Sequence, residues 1–315
     1  MSGPLRLRVA ALATLAEEVT AFDLRAADGG ALPSFTAGAH IDLHLPGGRV
    51  RSYSLVNPQD ERHRYVIAVK REAAGRGGSR LVHDTFRVGT LIEAAGPRNN
   101  FPLVEDAERS LLIAGGIGIT PLWCMAQRLH SLGRPWRLVY CARTRRHAPF
   151  ADSLERFGDS VRFHFDHEPG GRVLDVAATV AAEPPGTHLY CCGPLSMLES
   201  FERATADRVP AEVHVEYFTA KLPPAAGGGF TVVLARTGVS VRVPQGKTIL
   251  DALIEQGIEA PYSCLEGVCG TCETRVIEGL PDHRDLVLSK QERAANRTMM
   301  ICCSGSLTER LVLDL

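Results

Sequence analysis

The chain has 315 residues, with 35 Lys and Arg against 36 Asp and Glu, a formal net charge of −1, and nine cysteines. That length exceeds one ordinary core and predicts two or three domains, while the near-zero charge argues against nucleic acid or another polyanion as partner. No stretch is apolar for long enough to span a bilayer, residues 111–126 being broken by three glycines, Thr120 and Pro121.

Residues 9–16 follow two arginines in the manner of a weak export signal, but they run straight into Glu17 and Glu18, so a strand is expected instead, over 5–14. Further strands are expected over 20–25, 39–45, 50–56 and 65–70, and Pro46-Gly47-Gly48 makes a short hairpin turn between two of them. Many short strands without helices between them predict an antiparallel β-barrel over residues 1–103. Within it, Arg51-Ser52-Tyr53-Ser54 lies on one strand and Val69-Lys70 on the next. The run Gly75-Arg76-Gly77-Gly78-Ser79 precedes a helix expected over 81–86. A glycine turn opening a helix presents backbone N–H groups and the positive end of the helix dipole, which suits a phosphate, and Arg51 would add a charged hydrogen bond. Alone the turn is compatible with an ordinary loop; with the Arg51–Ser54 strand upstream it points to a flavin.

From about residue 104 the pattern alternates. Strands are expected over 111–114, 136–142, 161–165 and 188–192, and helices over 121–130, 150–157 and 195–205, which predicts an open, mostly parallel α/β sheet extending to residue 224. Its first turn, Gly115-Gly116-Ile117-Gly118-Ile119-Thr120-Pro121, follows a buried strand and opens a helix with proline in the first turn. Glycines there let a pyrophosphate approach the backbone, although the spacing is not Gly-x-Gly-x-x-Gly. Cys192-Gly193-Pro194 follows the last of these strands; by itself Cys192 reads equally as a small buried hydrophobe.

Residues 222–229, Leu-Pro-Pro-Ala-Ala-Gly-Gly-Gly, have the composition of a linker. Beyond them, strands over 230–235 and 239–243 and a helix over 249–256 lead into Cys264, Cys269 and Cys272, with Cys302 after a gap of twenty-nine residues. This is plant-type [2Fe-2S] spacing, in which three thiolates come from one loop and a distant fourth closes the cage. A zinc site would need a second short-spaced pair, which is absent near Cys302. Cys303 adjoins Cys302, and the twenty-nine-residue interval favours Cys302. An odd cysteine count carrying this pattern points to a reducing cytoplasm.

In order along the chain, the Arg51–Ser54 strand, the Gly115–Pro121 turn and Cys192-Gly193-Pro194 resemble the ferredoxin reductase superfamily. The terminal ferredoxin-like segment, with Gly75–Ser79 and Asp282-His283-Arg284-Asp285, resembles more closely the phthalate dioxygenase reductase and vanillate demethylase reductase type. The resemblance implies an FMN-binding barrel (1–103), an NAD-binding α/β domain (104–224) and a β-grasp ferredoxin domain (225–315). It implies that Arg51 holds the FMN phosphate with Gly77, Gly78 and Ser79, that Ser52 and Tyr53 lie along the flavin with Ser54 near its reactive nitrogen, and that the backbone at Val69 and Lys70 meets the ring edge. It further implies that Gly115, Gly116, Gly118, Thr120, Gly193 and Pro194 line the NADH path, that Cys192 sits by the nicotinamide, and that Phe218 covers the flavin. Without that context Tyr53 and Phe218 would read as core aromatics, and Arg143, Arg145 and Arg146 as a solvated face. Electrostatics at those arginines favours NADPH, whereas the resemblance favours NADH.

A nicotinamide gives two electrons as hydride and an iron-sulfur cluster accepts one, so a flavin is needed between them. The implied activity is electron supply from NADH to a terminal oxygenase of Rieske non-haem iron type, at no membrane. The competing readings are a reductase for a thiolate-haem monooxygenase and a redox-sensing module; a complete path from hydride to single electrons argues against the sensor.

Overall fold

The computed structural model describes residues 4–73 and 77–315; Gly75 and Arg76 of the first glycine turn lie outside the described residues. Its contacts divide the chain into two compact units, residues 1–216 and 217–315.

In the first unit, β1 (Leu5–Ala16), β2 (Val19–Ala26), β3 (His40–Leu45), β4 (Arg49–Ser54), β5 (Tyr65–Lys70) and β6 (Leu91–Arg98) form a six-stranded sheet in the order β4-β3-β6-β1-β2-β5. Every pair is antiparallel, and a bridge from Leu55 to Ile67 joins the two outermost strands and closes the barrel. Helix α1 (Gly78–Thr85) buries Val82 against it, and the following Phe86 meets Phe22 edge-on at 5.8 Å.

The second sheet holds β7 (Ser110–Gly115), β8 (Trp136–Ala142), β9 (Val161–Phe165), β10 (His188–Cys192) and β11 (Val213–Glu216), all parallel, in the order β11-β10-β7-β8-β9. The connecting helices are α2 (Ile119–Ser131), α3 (Ala151–Leu154), α4 (Val176–Ala181) and α5 (Leu195–Ala204). All six residues of β7 are buried, as expected for a central strand covered on both faces. Helix α2 is buried from Ile119 through Ala126 because it packs on the sheet and on the barrel together. Gln127 donates to the Val56 carbonyl at 2.9 Å, the Cys124 thiol donates to the Asn57 carbonyl at 3.3 Å, and Arg128 pairs with Glu105. One apolar core therefore runs through both layers, which is why two layers expected as separate domains condense into one unit. The helix expected over 150–157 is only a single α-turn followed by a 3-10 segment, since Gly158 takes a non-helical conformation inside it.

The second unit contains β12 (Phe230–Leu234), β13 (Ser240–Val243), α5's successor α6 (Ile249–Glu255), β14 (Glu273–Glu278), β15 (Pro281–Asp282), α7 (Lys290–Ala295), β16 (Thr298–Met300), β17 (Gly305–Ser306) and β18 (Arg310–Leu313). Five strands form a mixed sheet, β13-β12-β18-β14-β16, with β12 and β18 parallel at its centre, and α6 lays Ile249, Leu250 and Leu253 into the core. This is the β-grasp arrangement. Thr248 and Asp251 form a reciprocal capping box that starts α6 where the composition changes. Part of the expected linker is pinned to this unit: Ala225 N–H donates to the Cys303 carbonyl at 2.7 Å, and Gly246 N–H to the Ala226 carbonyl at 2.9 Å.

Candidate redox site

Three sets of groups gather at identifiable places in the fold. The first is at the closing seam of the barrel, where the Leu55–Ile67 bridge carries Tyr53 and Ser54 alongside Ala68 and Val69. Arg51 reaches from β4 to the start of α1: a Cβ on Gly78 would stand 2.6 Å from Arg51 Nε and 2.9 Å from its Cγ. Only glycine lets the guanidinium lie against the first turn of that helix, where unpaired N–H groups and a positive charge meet an anion. Gly77, at the helix cap, has φ 83°, a left-handed value that favours glycine. Ser79 Oγ accepts from Glu72 N–H at 3.0 Å, which leaves its own O–H as a donor.

Tyr53 is half-buried, and burial pushes its phenol up to about 12, against a smaller opposing pull from Arg51, so the ring stays neutral over the working pH range. Ser54 is buried. Ser52 donates to Asp42 at 2.6 Å, and Asp42 is paired with Arg98, so its side chain is tied to β3. The Val69 carbonyl already meets His83 Nε2 at 2.9 Å and Lys70 pairs with Glu72, so these two positions carry local bonds of their own.

The second set lies at the carboxyl ends of β7 and β10. The chain runs from β7 out to β8 and β9, then returns to β10 and β11 on the other side of β7. This reversal opens the crevice in which parallel sheets bind ligands. A Cβ on Gly118 would lie 2.3 Å from the Cys192 carbonyl oxygen, and one on Gly115 would lie 2.5 Å from Pro194 Cδ. A Cβ on Gly193 would lie 3.0 Å from Gly115 Cα. Gly116, with φ 54°, has open space on its side-chain position, and Thr120 Oγ1 donates to the Ile117 carbonyl at 3.0 Å to hold the turn. The turn also touches β5, so the barrel seam and the crevice belong to one continuous site.

Cys192 is fully buried, and its thiol is pushed well above the usual range by burial, then by the charges of Glu216 and Cys191. It is a neutral wall and not a nucleophile. Glu216, the last residue of β11, lies beside Cys192 in register. Burial raises its carboxyl to about 8, and its Oε2 has no hydrogen-bond partner. Sequence reading passed over Glu216, since a four-residue strand is too short for its alternation to register; a single acidic residue ending Val213-His214-Val215 was the available signal. Phe218 stands two residues beyond it, in the second unit, and is 38% exposed.

At the end of β8, Arg145 is bound by Asp152 at 2.6 Å and by Glu155 at 2.7 Å, and its backbone N–H donates to Glu168 at 2.8 Å. A phosphate brought there would face three carboxylates, so the electrostatic case for NADPH drawn from the arginines alone weakens.

The third set is in the second unit. Cys264, Cys269, Cys272 and Cys302 are all buried. The loop turns through left-handed positions at Leu265, Gly267 and Gly270, and this puts donors on sulfur: Glu266 N–H reaches Cys264 Sγ at 3.3 Å and Thr271 Oγ1 lies 3.1 Å from Cys269 Sγ. Among the described residues no group of three or more His, Cys, Asp or Glu side chains is set to hold a single metal ion. The thiols of Cys269 and Cys302 both lie beside that of Cys264. Three thiols from one loop and a fourth from beyond it make the donor set of a plant-type [2Fe-2S] cluster. The Cys303 thiol lies against that of Cys302, with its Sγ 3.7 Å from the Met300 carbonyl and so close to Gly267 of the loop that a Cβ there would stand 2.4 Å from it, so the choice of Cys302 over Cys303 rests on the twenty-nine-residue interval.

Two family models match: an oxidoreductase FAD-binding domain over residues 6–102 and a 2Fe-2S iron-sulfur cluster binding domain over residues 232–305. The chain is 58% identical to the phenoxybenzoate dioxygenase subunit beta of Ectopseudomonas oleovorans, over 99% of this chain and 98% of that protein. It matches the structure of a phthalate dioxygenase reductase, described as modular for electron transfer from pyridine nucleotides to [2Fe-2S], with a TM-score of 0.77 and 38% identity over 99% of this chain and 98% of the other. It also matches an intact type IV self-sufficient cytochrome P450 monooxygenase, with a TM-score of 0.87 and 39% identity, spanning 99% of this chain but 41% of that longer one. Among the described residues no helix is long and apolar enough to cross a membrane.

Proposed function

The chain belongs to the family of phthalate dioxygenase reductases and vanillate O-demethylase oxidoreductases, and on that premise we propose that it passes electrons from NADH through FMN and a [2Fe-2S] cluster to a Rieske-type non-haem iron oxygenase. It is an oxidoreductase with a flavin-binding domain and a 2Fe-2S domain, and its relatives are the reductase components of oxygenase systems. The observation that carries the reading is the meeting of the β5 seam with the Gly116–Gly118 turn, which joins a flavin-type phosphate site to a nucleotide crevice within one core.

When bound, the flavin converts a two-electron hydride into single electrons that the cluster can relay. Arg51 and the N-terminus of α1 bind its phosphate. Tyr53 supplies a neutral flat surface and Ser54 a hydroxyl. Gly115, Gly118 and Gly193 let the Cys192–Pro194 backbone close against the turn, while Gly116 leaves room for the dinucleotide. Cys264, Cys269, Cys272 and Cys302 hold the irons. Segments 1–103, 104–224 and 225–315 serve as the three functional parts, in the cytoplasm.

The matched family model is described by FAD, whereas Arg51 packed on Gly78 makes a place for one terminal phosphate, which favours FMN. Acid-released flavin separated on a calibrated column should be FMN; an FAD peak refutes it. The P450 match favours a second reading, service to a thiolate-haem monooxygenase. Stopped-flow mixing of the NADH-reduced protein with a purified Rieske oxygenase and, separately, a cytochrome P450 should reduce the Rieske centre faster; the reverse order would transfer the proposal to the haem enzyme.

A further inference from the structure

Under the cluster loop lies a buried polar group that the electron path does not use. The segment running from β15 to α7 clasps the loop: Leu286 N–H donates to the Gly267 carbonyl at 2.8 Å, Arg284 N–H to Ser304 Oγ at 3.2 Å, and Asp282 pairs with Gly305, three residues beyond Cys302. Asp285, whose side chain is 0% exposed, accepts from Val287 and Leu288 N–H on Oδ2, at 3.1 and 2.8 Å. Its Oδ1 has no hydrogen-bond partner, and neither has His283 Nδ1, which lies 3.8 Å away.

The tautomer of His283 follows from its other nitrogen. Nε2 lies 3.2 Å from Asn296 Oδ1, an atom that only accepts, and Asn296 Nδ2 donates to the Ala294 carbonyl, which fixes the amide's orientation. Nε2 therefore carries the hydrogen. In the neutral ring the Nδ1 lone pair then faces a carboxylate oxygen 3.8 Å away, and one added proton would make the two an ion pair. The other groups around the pair are Arg293 of α7, 3.8 Å from Asp285 Oδ2 and bonded to the Asp285 carbonyl, the Asp282–Arg284 pair, and Cys303, which feels the charge of Asp285. Asp285 and Arg293 offset each other, so His283 is the group whose charge can change to answer an electron arriving next door.

We propose that His283 is a positioning partner of electron transfer, taking up one proton from water at Nδ1 for each electron that reaches the cluster and releasing it when the electron leaves. The electron comes from reduced flavin, so charge balances in both directions. The proposal rests on the cysteine ligand set given above. Its test is a potentiometric titration of the native protein from about pH 6 to about pH 9, read by the electron paramagnetic resonance of the reduced cluster. The midpoint should fall with rising pH by up to about 59 mV per tenfold drop in proton concentration, the slope for one proton per electron. His283→Gln and Asp285→Asn should each flatten the slope while the visible cluster bands persist. A flat native profile, or an undiminished slope in His283→Gln, overturns the proposal and leaves the ligand set standing. Native protein without cluster absorption would refute the ligand set, and this proposal with it.

Discussion

The nucleotide crevice and the cluster loop solve opposite problems. In the crevice the decisive positions are missing side chains: Gly115, Gly118 and Gly193 let two backbone turns meet, beside a central strand, β7, buried from end to end. In the cluster loop the decisive positions are side-chain atoms, four sulfurs on a chain without regular structure, held by single hydrogen bonds to the loop and to the Pro281–Asp282 strand. A site made of space inherits its precision from the core beneath it. A site made of ligands carries its own binding energy and tolerates a looser frame.

The largest expected effect breaks the comparison at the ligand side. Serine at Cys264, Cys269, Cys272 or Cys302 should abolish the cluster's visible bands and electron delivery, yet leave NADH oxidation by ferricyanide, because the crevice stands on a separate core. Cys303→Ala should keep the cluster, as the twenty-nine-residue interval after Cys272 assigns the fourth ligand to Cys302. Loss in Cys303→Ala with retention in Cys302→Ala would reverse the assignment.

Next is the acid in the crevice. The carboxyl of Glu216 titrates at about 8 in the fold against 4.5 as its ordinary value, so the native state holds a proton that the unfolded chain has released. Stability should be highest below the ordinary value and fall as pH rises to about 8, by at most about 5 kcal/mol. Urea denaturation at several pH values should show this slope, and Glu216→Gln should reduce it. An unchanged slope would mean that water or a bound group screens the carboxylate.

Adding one methyl to the crevice sharpens the contrast. Gly118→Ala meets the Cys192 carbonyl at 2.3 Å, backbone that cannot swing aside. It should cost about 1 to 3 kcal/mol of stability and lower kcat/KM for NADH, with the cluster spectrum unchanged. Equal kinetics in this variant would remove the turn from the cofactor path.

The smallest effect concerns Arg145. Because Asp152 and Glu155 already hold it, the enzyme should prefer NADH over NADPH by at least about tenfold, a difference of about 1.4 kcal/mol, and Arg145→Ala should change that ratio little. An NADPH preference that collapses in this variant would assign the guanidinium to a 2′-phosphate.

Motifs whose chemistry is local were legible from the residues alone. The spacing of Cys264, Cys269 and Cys272 states a turn and a metal together, and Gly115–Pro121 states a strand end and a helix start, because each depends on neighbours within a few positions. Strand β6 at Leu91–Arg98 and strand β11 at Val213–Glu216 were not read, as their pairing partners lie far away in sequence and their own alternation is short or interrupted.

The sequence alone thus determined the order of the parts and the motifs proposed to meet each cofactor, since both are written in local spacing. Tertiary structure decided the rest. Arg51 came to rest on Gly78, Glu216 beside Cys192, and Asp285 beneath Gly267 through long-range packing. Whether a given arginine binds a phosphate or a neighbouring carboxylate, and whether a given acid is charged, depends on what the folded chain places within a few ångströms of it and on how much water it leaves there.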